Sequence, residues 1–485
     1  MGGMEAFGLA VLVCALAGVV AVLSSRASER LRIPAPAFFL IAAALASDIW
    51  PWLGRLSYTA VEQVVTVALA VILFDGGMRM GWRRFRSVGV ASAWIGIAGT
   101  FVTAAAVAAA AHFLFSFGWR AALLIGTALS PTDPAVVFSV LGRREIAGRS
   151  DLLLEGESGA NDPVSISLLV ALLAATGTGI GAVGQVGVEF VLQMAVGALI
   201  GAMGGRALLV FMRRVPLPSE GLYTLRVLAV ALVIYGLASV AHGSGFLAVF
   251  VAGLVIGDER APYKGEIAHF HSALASLAEI VAFVMLGLTV RLYALPEANA
   301  WLTGLALAAL LALVIRPLLV GVLSWRVRLR FNERLFVLWS GLKGAVPILL
   351  GAFIVQARIA GAPVIYEIIF VAVTFSVIVQ GGTIPAFARL LKIPVRTIEP
   401  EPWSLGIRFQ DKPENLHRFV ISAGAAAARA PIGGLPLPED AWISLIIRDG
   451  RPIPALADTM LQPGDEVVVL ASAPDEARLR GLFGT

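Results

Sequence analysis

The chain has 485 residues, of which 58% are hydrophobic and 14% charged, against roughly 45–50% and about 25% in soluble proteins. No soluble core of that length hides so much apolar surface, and the composition also excludes a disordered chain, a coiled coil and a disulfide-stapled secreted domain. The net charge of +5 falls in short basic clusters between apolar runs, the pattern of topology-setting loops rather than of a nucleic-acid surface.

Apolar runs of about 17–25 residues can cross a bilayer. Thirteen are read along the chain, near 6–24, 36–50, 58–77, 88–112, 121–141, 157–176, 186–211, 222–241, 245–257, 271–290, 300–323, 333–356 and 364–388. No Lys or Arg precedes the first run and no small-residue cleavage site follows it, so it reads as a retained helix rather than a signal peptide. Cys14, the single cysteine, lies inside it, which leaves no partner for an intramolecular disulfide. Odd-numbered loops carry the basic clusters, from Arg26, Arg30 and Arg32 and then Arg79, Arg83, Arg84 and Arg86 onward to Arg389, Lys392 and Arg396. Even-numbered loops hold only Arg55, Arg120, Arg291 and Arg358. The positive-inside rule then places the N-terminus outside and the C-terminus in the cytoplasm.

Charges inside membrane segments are costly and usually functional. Glu62, Glu189, Arg206, Arg226 and Glu367 lie near span ends and are read as reaching the interface. Asp75, Asp133, Glu157, Asp162, Glu279, Arg316 and Lys343 lie deeper and are singled out. In the fifth span, Ser130-Pro131-Thr132-Asp133-Pro134 places two prolines that break the helix. Broken backbone at membrane depth is tolerated where it lines a cavity or is buried in protein, and its freed carbonyls with the Thr132 hydroxyl suit an alkali cation. At the sixth span, Ser158 and Asp162 share a helix face, flanked by Glu157. Burial favours the protonated form of a carboxylate and a nearby cation favours the ionised form, so one buried carboxylate holds a proton or a metal cation but not both well. The twelfth span carries a second break, Gly341-Leu342-Lys343-Gly344-Ala345-Val346-Pro347. Interrupted helices at corresponding positions of two halves mark a transporter site. With spans 1–6 and 8–13 as the halves, the offset is odd and the repeat inverted. The lysine can offset the negative ends of half-helix dipoles.

After about residue 397 the composition changes. Residues 397–414 read as a linker, and alternating runs at Phe419–Ser422, Ala441–Ile447 and Glu466–Leu470 follow, separated by the turn signals Asp449-Gly450 and Pro463-Gly464-Asp465. Asp475 to Phe483 reads as a closing helix, making a small α+β domain. The five histidines, His112, His242, His269, His271 and His417, form no nucleophile or metal constellation, and His269 and His271 are read as interfacial. An enzyme and a cofactor are therefore not expected.

Leu129-Ser130-Pro131-Thr132-Asp133-Pro134, Glu157-Ser158-Gly159 with Asn161-Asp162-Pro163, and Gly341-Leu342-Lys343-Gly344-Ala345 together resemble the monovalent cation:proton antiporter-1 family, the NhaP-type bacterial antiporters and their sodium/proton exchanger relatives. The resemblance covers about residues 1–395. It implies an all-α, thirteen-span homodimer in the cytoplasmic membrane, each protomer with a dimerisation domain and a six-helix core with two crossed, unwound helices, working by elevator-like alternating access. It implies Asp162 as the proton/cation carboxylate with Asn161 as its partner, Ser158, Thr132 and Asp75 as ion ligands, and Asp133 as a site-organising acid. Glu157 resembles a core acid that pairs with Arg316, while Lys343 stands where many members have Arg. The Asn-Asp form resembles electroneutral members. Ile446-Ile447-Arg448-Asp449-Gly450 and Leu461 to Leu470 resemble the C-terminal subdomain of RCK/TrkA type, without the nucleotide-binding half. Such tails dimerise and bind a small ligand, in some cases a nucleotide messenger.

The expected organisation is a transport domain at 1–396, a linker at 397–414 and a regulatory domain at 415–485. The expected function is cation/proton antiport, with potassium favoured over sodium. Glu279 joins Glu157, Arg316 and Lys343 as a structural or charge-compensating group. Three alternatives stay open: a Na⁺/H⁺ antiporter with a purely structural tail, a ligand-gated cation channel, and a non-transporting membrane sensor.

Overall fold

A computed structural model describes residues 34–50, 53, 57–141, 144–146, 149–175, 179–259, 261–296, 299–327, 329–397, 416–438, 441–448, 451–471 and 476–483. The first expected span with Cys14, most of the linker and the Asp449-Gly450 turn lie outside these residues. The chain divides into two compact units, residues 1–400 and 401–485.

The first unit is helical because its sequence offers long apolar runs whose backbone groups must be satisfied internally in lipid. Its helices are α1 (Ala35–Ile49), α2 (Tyr58–Ala93), α3 (Gly99–Phe115), α4 (Trp119–Ala128), α5 (Ala135–Leu141), α6 (Arg149–Ala174), α7 (Ile180–Arg214) and α8 (Glu220–Val240). They continue as α9 (Gly245–Gly257), α10 (Lys264–Leu288), α11 (Ala300–Leu310), α12 (Phe331–Trp339), α13 (Ala345–Gln356), α14 (Ala362–Phe375) and α15 (Gly382–Leu390). Among the described residues, seven helical stretches are long and apolar enough to cross a membrane, and α1, α9 and α13 are shorter apolar helices. Short π-helical segments at Trp94–Ala98, Leu311–Val320 and Ser376–Gly381 join neighbouring helices into longer rods. Two three-residue strands, β1 (Arg144–Ile146) and β2 (Val395–Thr397), pair antiparallel.

α9 is short and enclosed by α2, α7 and α8 rather than facing lipid alone. It meets α2 backbone to backbone. A Cβ on Gly77 would strike the Phe250 carbonyl, and one on Gly253 the Phe74 carbonyl, the small-residue contact that lets membrane helices approach. This packing fixes the stretch of α2 that carries Asp75. Six residues beyond Asp75, α2 kinks at Gly81, whose φ of +64° suits glycine.

Helix starts differ from the hydropathy reading in several places, α7 at Ile180 rather than 186 among them. α6 begins at Arg149 rather than 157, and α10 at Lys264 rather than 271. Their first turns are polar, so hydropathy passes over them, although Ser150, Leu153 and Leu154 of α6 and Ile267 of α10 are buried. Two side chains also differ. His271 is wholly buried, not interfacial, with its ring against Phe74 and Nδ1 2.8 Å from Ile267 O, whereas His269 is exposed. Arg226 is buried too. It donates to Val215 O at 2.8 Å, beyond the last turn of α7, and lies over the Tyr223 ring at 4.7 Å, so it caps a helix end instead of reaching outward.

The second unit is a four-stranded antiparallel sheet, β3 (Leu416–Val420), β4 (Trp442–Arg448), β5 (Arg451–Ile453) and β6 (Glu466–Leu470), in the order β3-β6-β4-β5. Phe419, Ile443, Ile446, Val467 and Val469 form one apolar core with Leu479, Leu482 and Phe483 of α16 (Glu476–Phe483). The expected runs at Ala441–Ile447 and Glu466–Leu470 and the closing helix are present, the first strand lies at Leu416–Val420 rather than Phe419–Ser422, and β5 was not expected.

Candidate cation site

Two apolar helices are interrupted where their prolines and glycines stand. α4 ends at Ala128 and α5 restarts at Ala135; α12 ends at Trp339 and α13 restarts at Ala345. Pro131 and Pro134 lack the donors a continuous helix would need.

The two interruptions meet. The Asp133 N–H donates to Leu342 O at 2.8 Å, and Lys343 Nζ donates to Ser130 O at 3.1 Å and Pro131 O at 2.9 Å. Helix ends leave carbonyls without intrahelical donors, and they carry partial negative charge. The freed carbonyls of this break were read from sequence as suiting an alkali cation, and two of them, Ser130 O and Pro131 O, accept from the lysine ammonium. Asp133 caps the restart of α5 by accepting from Ala135 N–H at 2.8 Å. Gly344 lies so close to Asp133 that a Cβ there would overlap its carboxylate. Ser376 accepts from Lys343 N–H at 3.0 Å and donates to Gln380 Oε1 at 2.8 Å.

α6 supplies the rest. Helical spacing puts Glu157, Ser158, Asn161, Asp162 and Ser165 on adjoining turns. Asn161 Nδ2 donates to Thr132 Oγ1 at 2.7 Å, and Ser165 Oγ to Asn161 O at 2.6 Å. Ser158 Oγ makes a long 3.4 Å contact to Asp162 Oδ2, while Asp162 Oδ1 is buried without a hydrogen-bond donor. Arg316 reaches Glu157 with its NH2, at 2.8 and 3.1 Å to the two carboxylate oxygens, and donates from Nε to Leu338 O at 2.8 Å. Thr132 Oγ1 lies 3.5 Å from Glu157 Oε1. Asp162, Glu157, Arg316 and Lys343 are all 5% exposed or less.

A cavity of about 330 Å³ opens beside these groups, lined by Asp75, Asp133, Ser158, Asp162 and Glu279 among others. Thr132, Asn161, Glu157, Arg316 and Lys343 do not line it; their bonds run to one another and to backbone carbonyls at the interruptions. The sequence reading missed Arg79, which pairs with Asp75 at 2.7 Å, donates to Ser272 Oγ at 2.9 Å and lines the cavity. The signal was available, since Asp75 and Arg79 stand four apart on one helix. Ser376 and Gln380 were missed as well, because neutral polar residues leave little trace in a hydropathy pattern.

Interrupted helices that meet beside a buried carboxylate and an acid-bearing cavity define a membrane ion transporter of the broken-helix type. The chain matches the model described as sodium/hydrogen exchanger, transmembrane, over residues 16–390, and the TrkA-C domain over residues 416–484. It belongs to the sodium/hydrogen exchanger family and carries a C-terminal TrkA-C domain. It is 33% identical to the K(+)/H(+) antiporter NhaP2 of Shewanella oneidensis over 97% of this chain and 83% of that protein. It is 29% identical to the Na(+)/H(+) antiporter NhaH of Halobacillus dabanensis over 68% of this chain and 83% of that protein. The sodium proton antiporter MjNhaP1 of Methanocaldococcus jannaschii superimposes with a TM-score of 0.66 at 22% identity, covering 79% of this chain and all of that one, which establishes a shared fold.

Proposed function

We propose that the chain is an electroneutral antiporter exchanging a monovalent cation, potassium in preference to sodium, for a proton by alternating access across the cytoplasmic membrane. The carrying observation is Asp162 Oδ1, buried beside the cavity with no donor. A bare charge there is costly, so the oxygen calls for a proton or a cation, and competition between the two is exchange. Ser158, Asp133, Asp75, Thr132 and Asn161 complete or organise the ion site. Arg316 and Glu157 brace it, and Lys343 compensates the Ser130 and Pro131 carbonyls of the first interruption. Potassium is favoured by the names of relatives such as the NhaP2 protein of Shewanella oneidensis and the K(+)/H(+) antiporter NhaP of Alkalimonas amylolytica, 30% identical. It is also favoured by the TrkA-type tail.

The same reading makes the protein a homodimer of thirteen-span protomers built from two inverted six-helix repeats, with the N-terminus outside and the C-terminus in the cytoplasm. Residues 1–396 transport, 397–414 link, and 415–485 regulate through a small ligand such as a nucleotide. Proteoliposomes challenged with K⁺, Na⁺ and Li⁺ across pH test it. Cation-dependent proton movement should appear in the wild type and vanish in Asp162→Asn. Exchange at the normal rate in Asp162→Asn would overturn the mechanism.

A further inference from the structure

Among the described residues, five carboxylates line the cavity: Asp75, Asp133, Glu155, Asp162 and Glu279. Their surroundings are not alike. Asp75 is answered by Arg79, whose guanidinium is also engaged with Ser272. Asp133 accepts from the Ala135 N–H. Among the described lining acids, two present a buried oxygen that no donor reaches, Asp162 Oδ1 and Glu279 Oε1. Asp162 stands on α6 and Glu279 on α10, so the two come from different walls of one cavity. A buried carboxylate oxygen without a donor is costly unless it holds a proton or a cation. If Glu279 only balanced charge within the fold, a direct basic partner would be expected; Arg79, the one basic residue among the described lining residues, bonds to Asp75 instead.

We propose that Glu279 is a second ion-handling carboxylate of the transport cavity, one that takes up the proton or the monovalent cation alongside Asp162 and thereby sets ion affinity and the pH range of exchange. The proposal rests on the antiporter reading and deepens it. Asp162 remains the obligatory group, and Glu279 tunes the cavity from a different helix. The charged groups facing Glu279 are Asp75 and Arg79 from α2, Asp133 from the first interruption, and Glu155 and Asp162 from α6; α13 contributes only apolar residues to the cavity.

The test compares wild type with Glu279→Gln in proteoliposomes, titrated with K⁺ and with Na⁺ at several pH values. KM should rise about five-fold, the worth of one unit charge about 4 Å from an ion in a hydrated cavity, and the pH profile should shift, while exchange at saturating cation persists. A variant with wild-type KM and an unshifted pH profile would overturn the proposal, even if its thermal stability fell. Infrared difference spectra of the purified protein on K⁺ addition give a readout independent of transport. The loss of carboxylic-acid signal expected in wild type should be smaller in Glu279→Gln, and an identical difference spectrum overturns the proposal. Wild-type liposomes that move no protons in response to cations would sink the antiporter reading, and the infrared arm would still decide Glu279. Should Glu279→Gln fail to accumulate, Glu279→Asp carries the same measurements, with a displaced KM expected and an unchanged one refuting the role.

Discussion

Lys343 in the second helix interruption donates to the Pro131 carbonyl of the first at 2.9 Å. The same ammonium serves Ser130 O, and the Asp133 N–H bonds to Leu342 O, so the two breaks are tied in both directions. Each break leaves polar backbone at membrane depth, and each supplies what the other lacks. The site therefore depends on a cross-link between segments more than 200 residues apart in sequence.

Lys343→Met should leave two buried carbonyls without donors, at about 1–3 kcal/mol each. The detergent-purified protein should unfold at a lower temperature, and exchange should be lost. Lys343→Arg keeps the charge but replaces a compact ammonium with a planar fork, so it should fold and exchange poorly. Full exchange in Lys343→Met would show that the carbonyl ends need no cation.

Arg316 and Glu157 are both buried and hydrogen-bonded to each other. Removing one partner strands a charge, which costs about 3–5 kcal/mol in a buried pair, whereas replacing both is often close to neutral. Arg316→Met should therefore be more damaging than Arg316→Met combined with Glu157→Gln. Thermal unfolding of the single and double variants checks this, and simple additivity of the two losses would argue against a bracing pair.

Gly344→Ala should disturb the site through its neighbour, since the added Cβ would overlap the Asp133 carboxylate. Displacing Asp133 loosens the cap on α5 and the cavity wall together. Exchange should fall and KM for the cation rise, while Gly265→Ala, at an open helical position, should leave both unchanged. Normal transport kinetics in Gly344→Ala would mean that the interruption relaxes without cost.

The interruptions were legible because proline and glycine act on the backbone locally. The bounds of α9, Gly245–Gly257, were read from hydropathy as they stand, because its residues are apolar throughout. The start of α6 was not. Residues 149–156 include Arg149, Asp151 and Glu155, and hydropathy registers lipid-facing composition rather than cover by other helices. His271 was misplaced for the same reason, since its burial comes from Phe74 on another helix. The candidate site residues were found because charge in an apolar run stands out. The Glu157–Arg316 contact was expected from the family resemblance and is present, whereas which acids share the cavity was beyond the sequence, and the cavity separates the lining carboxylates from Glu157 and Lys343, which do not line it.

Deleting residues 400–485 should leave the exchange chemistry in place, because every group proposed to contact the ion lies in the first unit. Its pH or ligand dependence should change if the TrkA-C domain regulates. Side-by-side assays of full-length and truncated protein across pH, with and without nucleotides, check this. A deletion that altered only yield would assign the tail a structural role.

The tail contains its own acid-sensitive pair. Burial alone would raise the Asp465 carboxyl, but two hydrogen bonds from Arg448, both at 2.8 Å, and one from the Gln462 N–H outweigh it and hold the group below its ordinary value. A depressed folded-state value means that the unfolded chain binds the proton more readily. The pair's stabilisation is then complete above the ordinary aspartate value near ~3.9, and it is lost as pH falls through that value toward the lower folded one. Arg448→Ala should cost the tail about 1.5–3 kcal/mol at neutral pH. Asp465→Asn should lower neutral stability too, but remove this acid-dependent component. Hydrogen-exchange protection of β3, β4 and β6 in the whole protein, corrected for intrinsic exchange at each pH, reads both effects. Equal acid sensitivity in wild type and Asp465→Asn would place the titrating group elsewhere.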